Sequence, residues 1–230
     1  MLLLGAACIF PYIALYYLAF SLAPSAAGEV NIINYLWPIW VLVLSGPLLK
    51  ERLGWRGALS VLLGFAGVYL LASGGRLLEF RVEHWQAYLS AGSGAFFWGL
   101  FSVLSKRQRY EPLPAMFLYN LGALACFALV VLGYSLAPAP AGAGRLVLPS
   151  LQAWLLLLLL GGGANGLGYL FWILALRSGD TPRVATLAYL TPFVALLYLA
   201  LFRGAPLRPL QLASLALILA GPILVGVRAR

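Results

Sequence analysis

Charge is what this sequence has least of. Only 9% of its 230 residues are Asp, Glu, Lys or Arg and 63% are hydrophobic, where soluble domains carry roughly 25% charged residues. A soluble globular chain is excluded. Acids are scarcer than bases, six against fifteen, and there is one histidine, His84, in a polar connection beside Glu83 and Trp85. The two cysteines, Cys8 and Cys126, sit inside apolar segments without metal or redox spacing, so they read as small buried hydrophobes and say nothing of compartment. No paired carboxylates, His–acid pair or Cys–His arrangement falls within an apolar segment, so general acid–base and nucleophilic chemistry lack their groups. An intramembrane enzyme is therefore disfavoured, and neither a metal nor another cofactor is expected. Residues 1–22 have no basic region at their start and carry Pro11, Tyr12, Tyr16 and Tyr17, which argues for a true span over a signal peptide. The net charge of +9 would suggest nucleic acid in a soluble chain, but the bases fall between or at the ends of the apolar segments. There they set topology, and no nucleic-acid partner is expected.

What is present is apolar length. Taking roughly 20 apolar residues per crossing, the chain reads as an all-α polytopic membrane protein with eight spans: 2–22, 29–49, 57–73, 86–105, 113–136, 151–176, 184–203 and 209–227. Connections are short except 137–150, where Pro138, Pro140, Gly142 and Gly144 mark a flexible loop. Lys50, Arg52, Arg56, Lys106, Arg107, Arg109, Arg177, Arg183, Arg228 and Arg230 fall on one side, and Arg76, Arg81, Arg145, Arg203 and Arg208 on the other. The richer side is cytoplasmic by the positive-inside rule, and both termini go with it.

The stretch Asn31-Ile32-Ile33-Asn34-Tyr35-Leu36-Trp37-Pro38 lies inside the second span. Pro38 has no N–H and its ring clashes with the carbonyl four residues back, so the Asn34 carbonyl loses its helical partner. Lipid supplies none, and non-helical backbone at membrane depth needs protein or a water-filled cavity around it. The plainer reading is a packing kink. Favouring a built feature, residues 17–71 align without a gap on 171–225 at an offset of 154, which lays Tyr35-Leu36-Trp37-Pro38 on Tyr189-Leu190-Thr191-Pro192. The same offset pairs Leu22 with Leu176, Val30 with Val184, Ser60 with Ser214, and Ala66-Gly67 with Ala220-Gly221. Five spans separate the copies, an odd number, so the copies run in opposite directions, as in the inverted repeats of secondary transporters. The division expected is 1–73, three helices of the first repeat, and 86–227, a complete five-helix second repeat. Spans 86–105 and 113–136 have no counterpart ahead of residue 2, so the arithmetic expects a ten-helix, five-plus-five plan lacking its first two helices.

Gly161-Gly162-Gly163-Ala164-Asn165-Gly166 formally matches G-x-G-x-x-G, but it lies within a span with no strand before it and no acid about 20 residues on. Close helix packing through Gly162 and Gly166 is the preferred reading. Asn165, Tyr169 and Trp172 share a helical face, as do Tyr12 and Tyr16 on the span in the equivalent place. Trp98, Ser102 and Ser105 form another such face, and Asn31 and Asn34 a fourth. An interfacial aromatic belt accounts for Tyr198 or Trp85 but not for residues so deep in their spans. Polar faces on four helices favour a shared cavity over helix–helix hydrogen bonding alone. Glu29, at the outer start of its helix, complements the helix dipole.

Three motifs together, Glu29-Val30 with Asn34-Tyr35-Leu36-Trp37-Pro38, Gly94-Ala95-Phe96-Phe97-Trp98, and Tyr189-Leu190-Thr191-Pro192, carry a resemblance to the EamA-type permeases of the drug/metabolite transporter superfamily. Within it, the Tyr-Leu-Trp-Pro motif resembles the aromatic amino acid exporters. The resemblance covers nearly the whole chain and implies inverted repeats about a central cavity in a bacterial inner membrane. The expected function is export of small amphipathic metabolites, chiefly aromatic and other neutral amino acids, by a monomer in the bilayer. Tyr12, Tyr16, Asn31, Asn34, Trp37, Trp98, Asn165 and Tyr169 are expected to meet the substrate, with Pro38 and Pro192 as hinges. Alternatives are a truncated, non-transporting scaffold and export of other solutes of the drug/metabolite type.

Overall fold

The computed structural model describes residues 1–51, 54–75, 81–136, 150–203 and 209–226. Arg52, Arg76, Arg145, Arg208, Arg228, Arg230 and the loop 137–149 lie outside them. Helix is the only regular structure among the described residues. Among the described residues, six helices are long and apolar enough to cross a membrane: α1 (Leu2–Leu22), α2 (Pro24–Leu49), α3 (Trp55–Ser73), α4 (Val82–Arg107), α5 (Pro112–Leu136) and α6 (Leu151–Ser178). Two more segments follow, α7 (181–203), made of shorter pieces, and α8 (Pro209–Gly226). The protein is a polytopic, all-helical membrane protein. Its apolar exterior fits a lipid surround, since every residue from Leu155 to Leu160 on α6 is exposed.

Lipid tails are as apolar as leucine, so burying apolar surface does not hold such helices together; close packing does. Small residues mark where backbones approach. On α4, a Cβ at Gly99 would stand 2.6 Å from the Trp40 Cβ and 3.3 Å from the Trp37 carbonyl oxygen on α2. On the α1–α5 crossing, a side chain at Gly5 would overlap the Tyr119 backbone and one at Gly122 the Leu2 backbone.

The most extensive packing among the described residues is α3 along α8, and its contacts come in exchanged pairs. A Cβ at Gly67 would lie 2.8 Å from the Ser214 carbonyl oxygen, and one at Gly221 would lie 2.6 Å from the Ser60 carbonyl oxygen. Gly67 with Gly221, and Ser60 with Ser214, are the residues that the 154 offset relates.

Connections gather at two opposite ends. At one, Lys106 at the end of α4 touches both Glu51 after α2 and Thr181 at the start of α7. At the other, Ser25, Glu29, Arg81 and His84 line a polar hollow of about 210 Å³. This places Lys50, Lys106 and Arg177, at the ends of α2, α4 and α6, toward one end of the molecule.

Candidate functional site

The site is built around a break in α2. The helix runs from Ala27 to Asn34, turns at Tyr35 and Leu36, and restarts over Trp37–Leu49. The backbone N–H groups of both Ile39 and Trp40 donate to the Leu36 carbonyl, at 3.0 and 3.1 Å, so the Tyr35 carbonyl is left without the helical donor that Ile39 would give it. The Tyr189 hydroxyl donates to it at 3.1 Å, from the residue 154 positions on. Tyr189 is wholly buried. Its own helix breaks in the same place, with Thr181–Leu187, a tight turn at Ala188–Leu190, and a restart at Thr191. Pro38 and Pro192 therefore each stand second in a restarted helix, where a missing N–H costs nothing in hydrogen bonding and the fixed φ suits the turn. The Ala188 carbonyl, four residues before Pro192, accepts from the Thr191 hydroxyl at 2.7 Å.

Beside the α2 break stands an aromatic cluster. Trp98 of α4 is its hub, with ring-centroid distances of 4.3 Å to Tyr169, 5.0 Å to Tyr12, 5.4 Å to Phe101 and 6.3 Å to Trp37. Trp37 meets Trp172 edge-on at 4.9 Å. Edge-to-face and tilted contacts place ring edges against π faces, each pair worth about 0.5–1.5 kcal/mol beyond its buried area. Four helices contribute: α1, α2, α4 and α6. One turn along α1 from Tyr12, the Tyr16 hydroxyl donates to Asn31 Oδ1 at 2.7 Å, and Asn31 is exposed. Asn34 is 7% exposed and its Oδ1 has no hydrogen-bond partner; the side chain neighbours Tyr12.

Of the eight residues expected to meet substrate, Tyr12, Trp37 and Tyr169 each touch Trp98, Tyr16 and Asn31 form a bonded pair beside them, and Asn34 adjoins Tyr12. Asn165 lies one turn before Tyr169, half-buried, with no hydrogen bond to the cluster among the described residues. Trp172 belongs to the site although only the shared face with Asn165 and Tyr169 hinted at it. Its indole N–H donates to Ser102 Oγ at 2.9 Å, and Ser102 donates to the Trp98 carbonyl at 2.8 Å. Ser102 and Ser105 are fully buried; Ser102 ties α6 to α4 through Trp172, and the Ser105 hydroxyl donates back to the Ser102 carbonyl of its own helix at 2.9 Å.

Both helices that carry tyrosines into the cluster widen to π-helix just before them, at Gly5–Ile9 on α1 and Leu160–Leu167 on α6. In α1 the wider turn precedes Pro11, whose ring would otherwise meet the carbonyl of Ala7. The glycines of α6 overturn one expectation. A Cβ at Gly161, Gly162 or Gly163 would meet nothing within 4 Å, so this run brings no helix close. With Gly166 it borders an apolar cleft of about 780 Å³ against Pro114, Phe117 and Asn120 of α5.

Comparison with known proteins agrees with this geometry. The chain is 30% identical over 98% of its length, and 75% of the relative's, to the aromatic amino acid exporter YddG of Ancylobacter novellus. It is 33% identical over 93% of its length, and 69% of the relative's, to an uncharacterized protein of Pseudomonas aeruginosa. A crystal structure 28% identical in sequence superposes with a TM-score of 0.79, over 97% of this chain and 74% of its own. The EamA-like transporter family matches residues 1–73 and 85–227. Members of that family are transporters and not enzymes, and with nearly the whole described chain matched, this protein belongs to the EamA-like transporter family.

Proposed function

We propose that the protein exports aromatic and other neutral amino acids across a bacterial inner membrane, both termini cytoplasmic, by alternating access of two inverted repeats, 1–73 and 86–227. The observation that carries the substrate reading is the unpartnered Asn34 Oδ1 beside the aromatic cluster. A buried acceptor without a donor costs roughly 1–3 kcal/mol, and an α-ammonium group would supply that donor while its aromatic side chain stacks on Trp98 or Tyr169. The restart of α2 at Trp37 turns a helix N-terminus, which favours negative charge, toward the same region, fit for the carboxylate. Asn31 and Asn165 complete the polar set, and Tyr12, Tyr16 and Trp37 the aromatic walls. The exporter relative named for aromatic amino acids supports the same substrate class.

Support for the repeat reading comes from the exchanged contacts, Gly67 on Ser214 with Gly221 on Ser60, and from the Tyr189–Tyr35 bond between equivalent residues. Pro38 and Pro192 stand at the hinges. No Asp, Glu, His, Lys or Arg lies near the middle of any span, so movement down the substrate gradient is the proposed mode, since proton-coupled carriers place a titratable group there.

The test is flux of radiolabelled phenylalanine and tryptophan from loaded proteoliposomes. Saturable efflux, competed by neutral amino acids and not by phenylethylamine or phenylpropionate, is expected. Folded protein giving no flux above protein-free liposomes would end the substrate reading, and accumulation that follows an imposed pH gradient would end the uncoupled one.

A further inference from the structure

At the end of the molecule where the loops after α2, α4 and α6 meet, one ammonium group holds three segments. Lys106 Nζ stands 2.8 Å from Glu51 Oε1, donates to Thr181 Oγ1 at 2.6 Å, and donates to the Gly179 carbonyl at 3.3 Å. A lysine has three N–H donors, and all three are used. The side chain is only 16% exposed and that of Glu51 30%, so solvent screens this pair less than an ordinary surface ion pair. Glu51 reaches it through an unusual turn. Lys50 ends α2 in the left-handed conformation at φ 58°, and the Glu51 N–H folds back on the Ser45 carbonyl at 3.4 Å.

Arg177 adds a second tie at the same end, donating to the Tyr110 carbonyl at 2.6 Å and to the Ser105 carbonyl at 3.4 Å. It pins α6 to the end of α4. Directly below Lys106 lie Val103, Leu176 and Ala185, all buried in one cluster. At the opposite end, Asn31 is exposed beside Tyr16 and a polar hollow opens at Glu29, Arg81 and His84. The molecule is thus tied across its helices at one end, with an exposed amide and a polar hollow at the other.

We infer that Lys106, with Glu51 and Thr181, is the cytoplasmic latch of the transport cycle. This rests on the alternating-access reading and the orientation proposed above. Glu51 follows the last turn of the first repeat's α2, and Lys106 and Thr181 belong to the second repeat. Parting the repeats on the cytoplasmic side, which loading from the cytoplasm requires, draws Glu51 away from Lys106, which Thr181 and Gly179 of its own repeat hold in position. Lys106 touches no substrate; it is a positioning residue that sets which side is open. Exchanging the acid at 51 and the base at 106 keeps the ion pair but gives up the bond to the Gly179 carbonyl, since a carboxylate cannot donate, so the exchange restores the latch in part.

The test is sidedness, read without substrate. In a Cys8→Ala/Cys126→Ala background, Val103→Cys reports exposure beneath the latch to a membrane-impermeant thiol reagent applied to one face or the other. The parent should label slowly from both faces. Lys106→Met and Glu51→Gln should label about tenfold faster from the cytoplasmic face alone, a modest shift in a two-state population, and the Glu51→Lys/Lys106→Glu exchange should return labelling toward the parent rate. Thr181→Val, which removes one bond of three, gives an intermediate rate and decides the matter should the charge variants fail to fold. Labelling of Lys106→Met and Thr181→Val at the parent rate, or acceleration from the outer face, overturns the latch. Efflux of phenylalanine run in parallel keeps the two readings apart. Faster cytoplasmic labelling without phenylalanine flux in the parent would uphold the latch and refute the substrate, and flux with unchanged labelling would do the reverse.

Discussion

A methyl group added at Gly67 is the sharpest probe of the α3–α8 crossing. An alanine Cβ there would stand 2.7 Å from Ile218 Cγ1, 2.8 Å from the Ser214 carbonyl oxygen and 3.2 Å from the Ile218 backbone nitrogen. The clashing Ile218 atom is its branch carbon, which a β-branched helical residue turns aside only at a cost, and the backbone atoms cannot move unless the whole of α8 shifts. Overpacking of this kind costs about 1–3 kcal/mol, while Gly→Ala within a helix returns up to about 1 kcal/mol. The two opposing effects leave a net loss of roughly 1–2 kcal/mol. Gly221→Ala should lose a similar amount, since its Cβ would lie 2.6 Å from both the Ser60 carbonyl oxygen and Thr186 Cγ2. Because the two sites share one interface, the double variant should deviate from the sum. Gly133→Ala on α5, with nothing within 4 Å of its Cβ, is the control and should be neutral or gain stability. Reversible unfolding in mixed detergent micelles measures all four. Gly67→Ala within about 0.5 kcal/mol of the parent, or Gly133→Ala as costly as Gly67→Ala, would refute the close crossing.

Trp98→Ala removes a ring with four aromatic neighbours and should weaken both folding and substrate affinity, whereas Trp98→Phe, which keeps a face to stack on, should recover most of both; equal apparent affinity for phenylalanine across all three proteins would remove Trp98 from the site. Tyr189→Phe leaves the Tyr35 carbonyl without its donor, for a loss of about 0.6–1.7 kcal/mol by the scale of hydrogen bonds between membrane helices, and unfolding indistinguishable from the parent would show that the bond contributes nothing. Lys50→Gly relieves a left-handed lysine and should gain roughly 1 kcal/mol against Lys50→Ala, which keeps the strain; the two variants unfolding alike would contradict the φ of 58°.

Much of this arrangement could be read from the residues because two of its signals are covalent. A proline without an N–H announces a restart wherever it falls, and the fixed offset between Tyr35 and Tyr189 names equivalent residues before any coordinates exist. Which way each helix faces was far less legible. The apolar character of α1 and α2 runs all the way round, and in a bilayer a lipid-facing leucine and a buried one obey the same preference. So Gly161–Gly163 read as packing residues although they face open space, while Gly64, Gly67 and Gly221 carry the close approach. Asn165 itself lies within the π-helical stretch Leu160–Leu167, where a 3.6-residue period does not hold, and among the described residues no hydrogen bond ties it to the cluster. Nothing local pairs Glu51 with Lys106 and Thr181, whose meeting depends on three loops ending at the same depth.

The two helix breaks are equivalent in sequence place but are held differently, and this asymmetry predicts which proline matters. In α7 the residue before Pro192 is Thr191, whose hydroxyl secures the Ala188 carbonyl at 2.7 Å. In α2 the residue before Pro38 is Trp37, which has no hydroxyl, and the break is held from outside by Tyr189 donating to Tyr35. Pro38→Ala adds a backbone N–H four residues after Asn34 and so offers that carbonyl a helical hydrogen bond, worth about 0.5–1.5 kcal/mol net, toward a straight α2. Pro192→Ala offers the same bond to a carbonyl already satisfied, and should do little alone. The expected order in efflux turnover is therefore a several-fold loss for Pro38→Ala, a near-parent rate for Pro192→Ala, and a loss approaching that of Pro38→Ala once Thr191→Val is added to Pro192→Ala. Turnover at saturating phenylalanine, with affinity measured separately, distinguishes a stiffened hinge from a damaged site. Pro192→Ala alone as slow as Pro38→Ala, with no further effect of Thr191→Val, would show that the hydroxyl does not hold the second break and that the two hinges work alike.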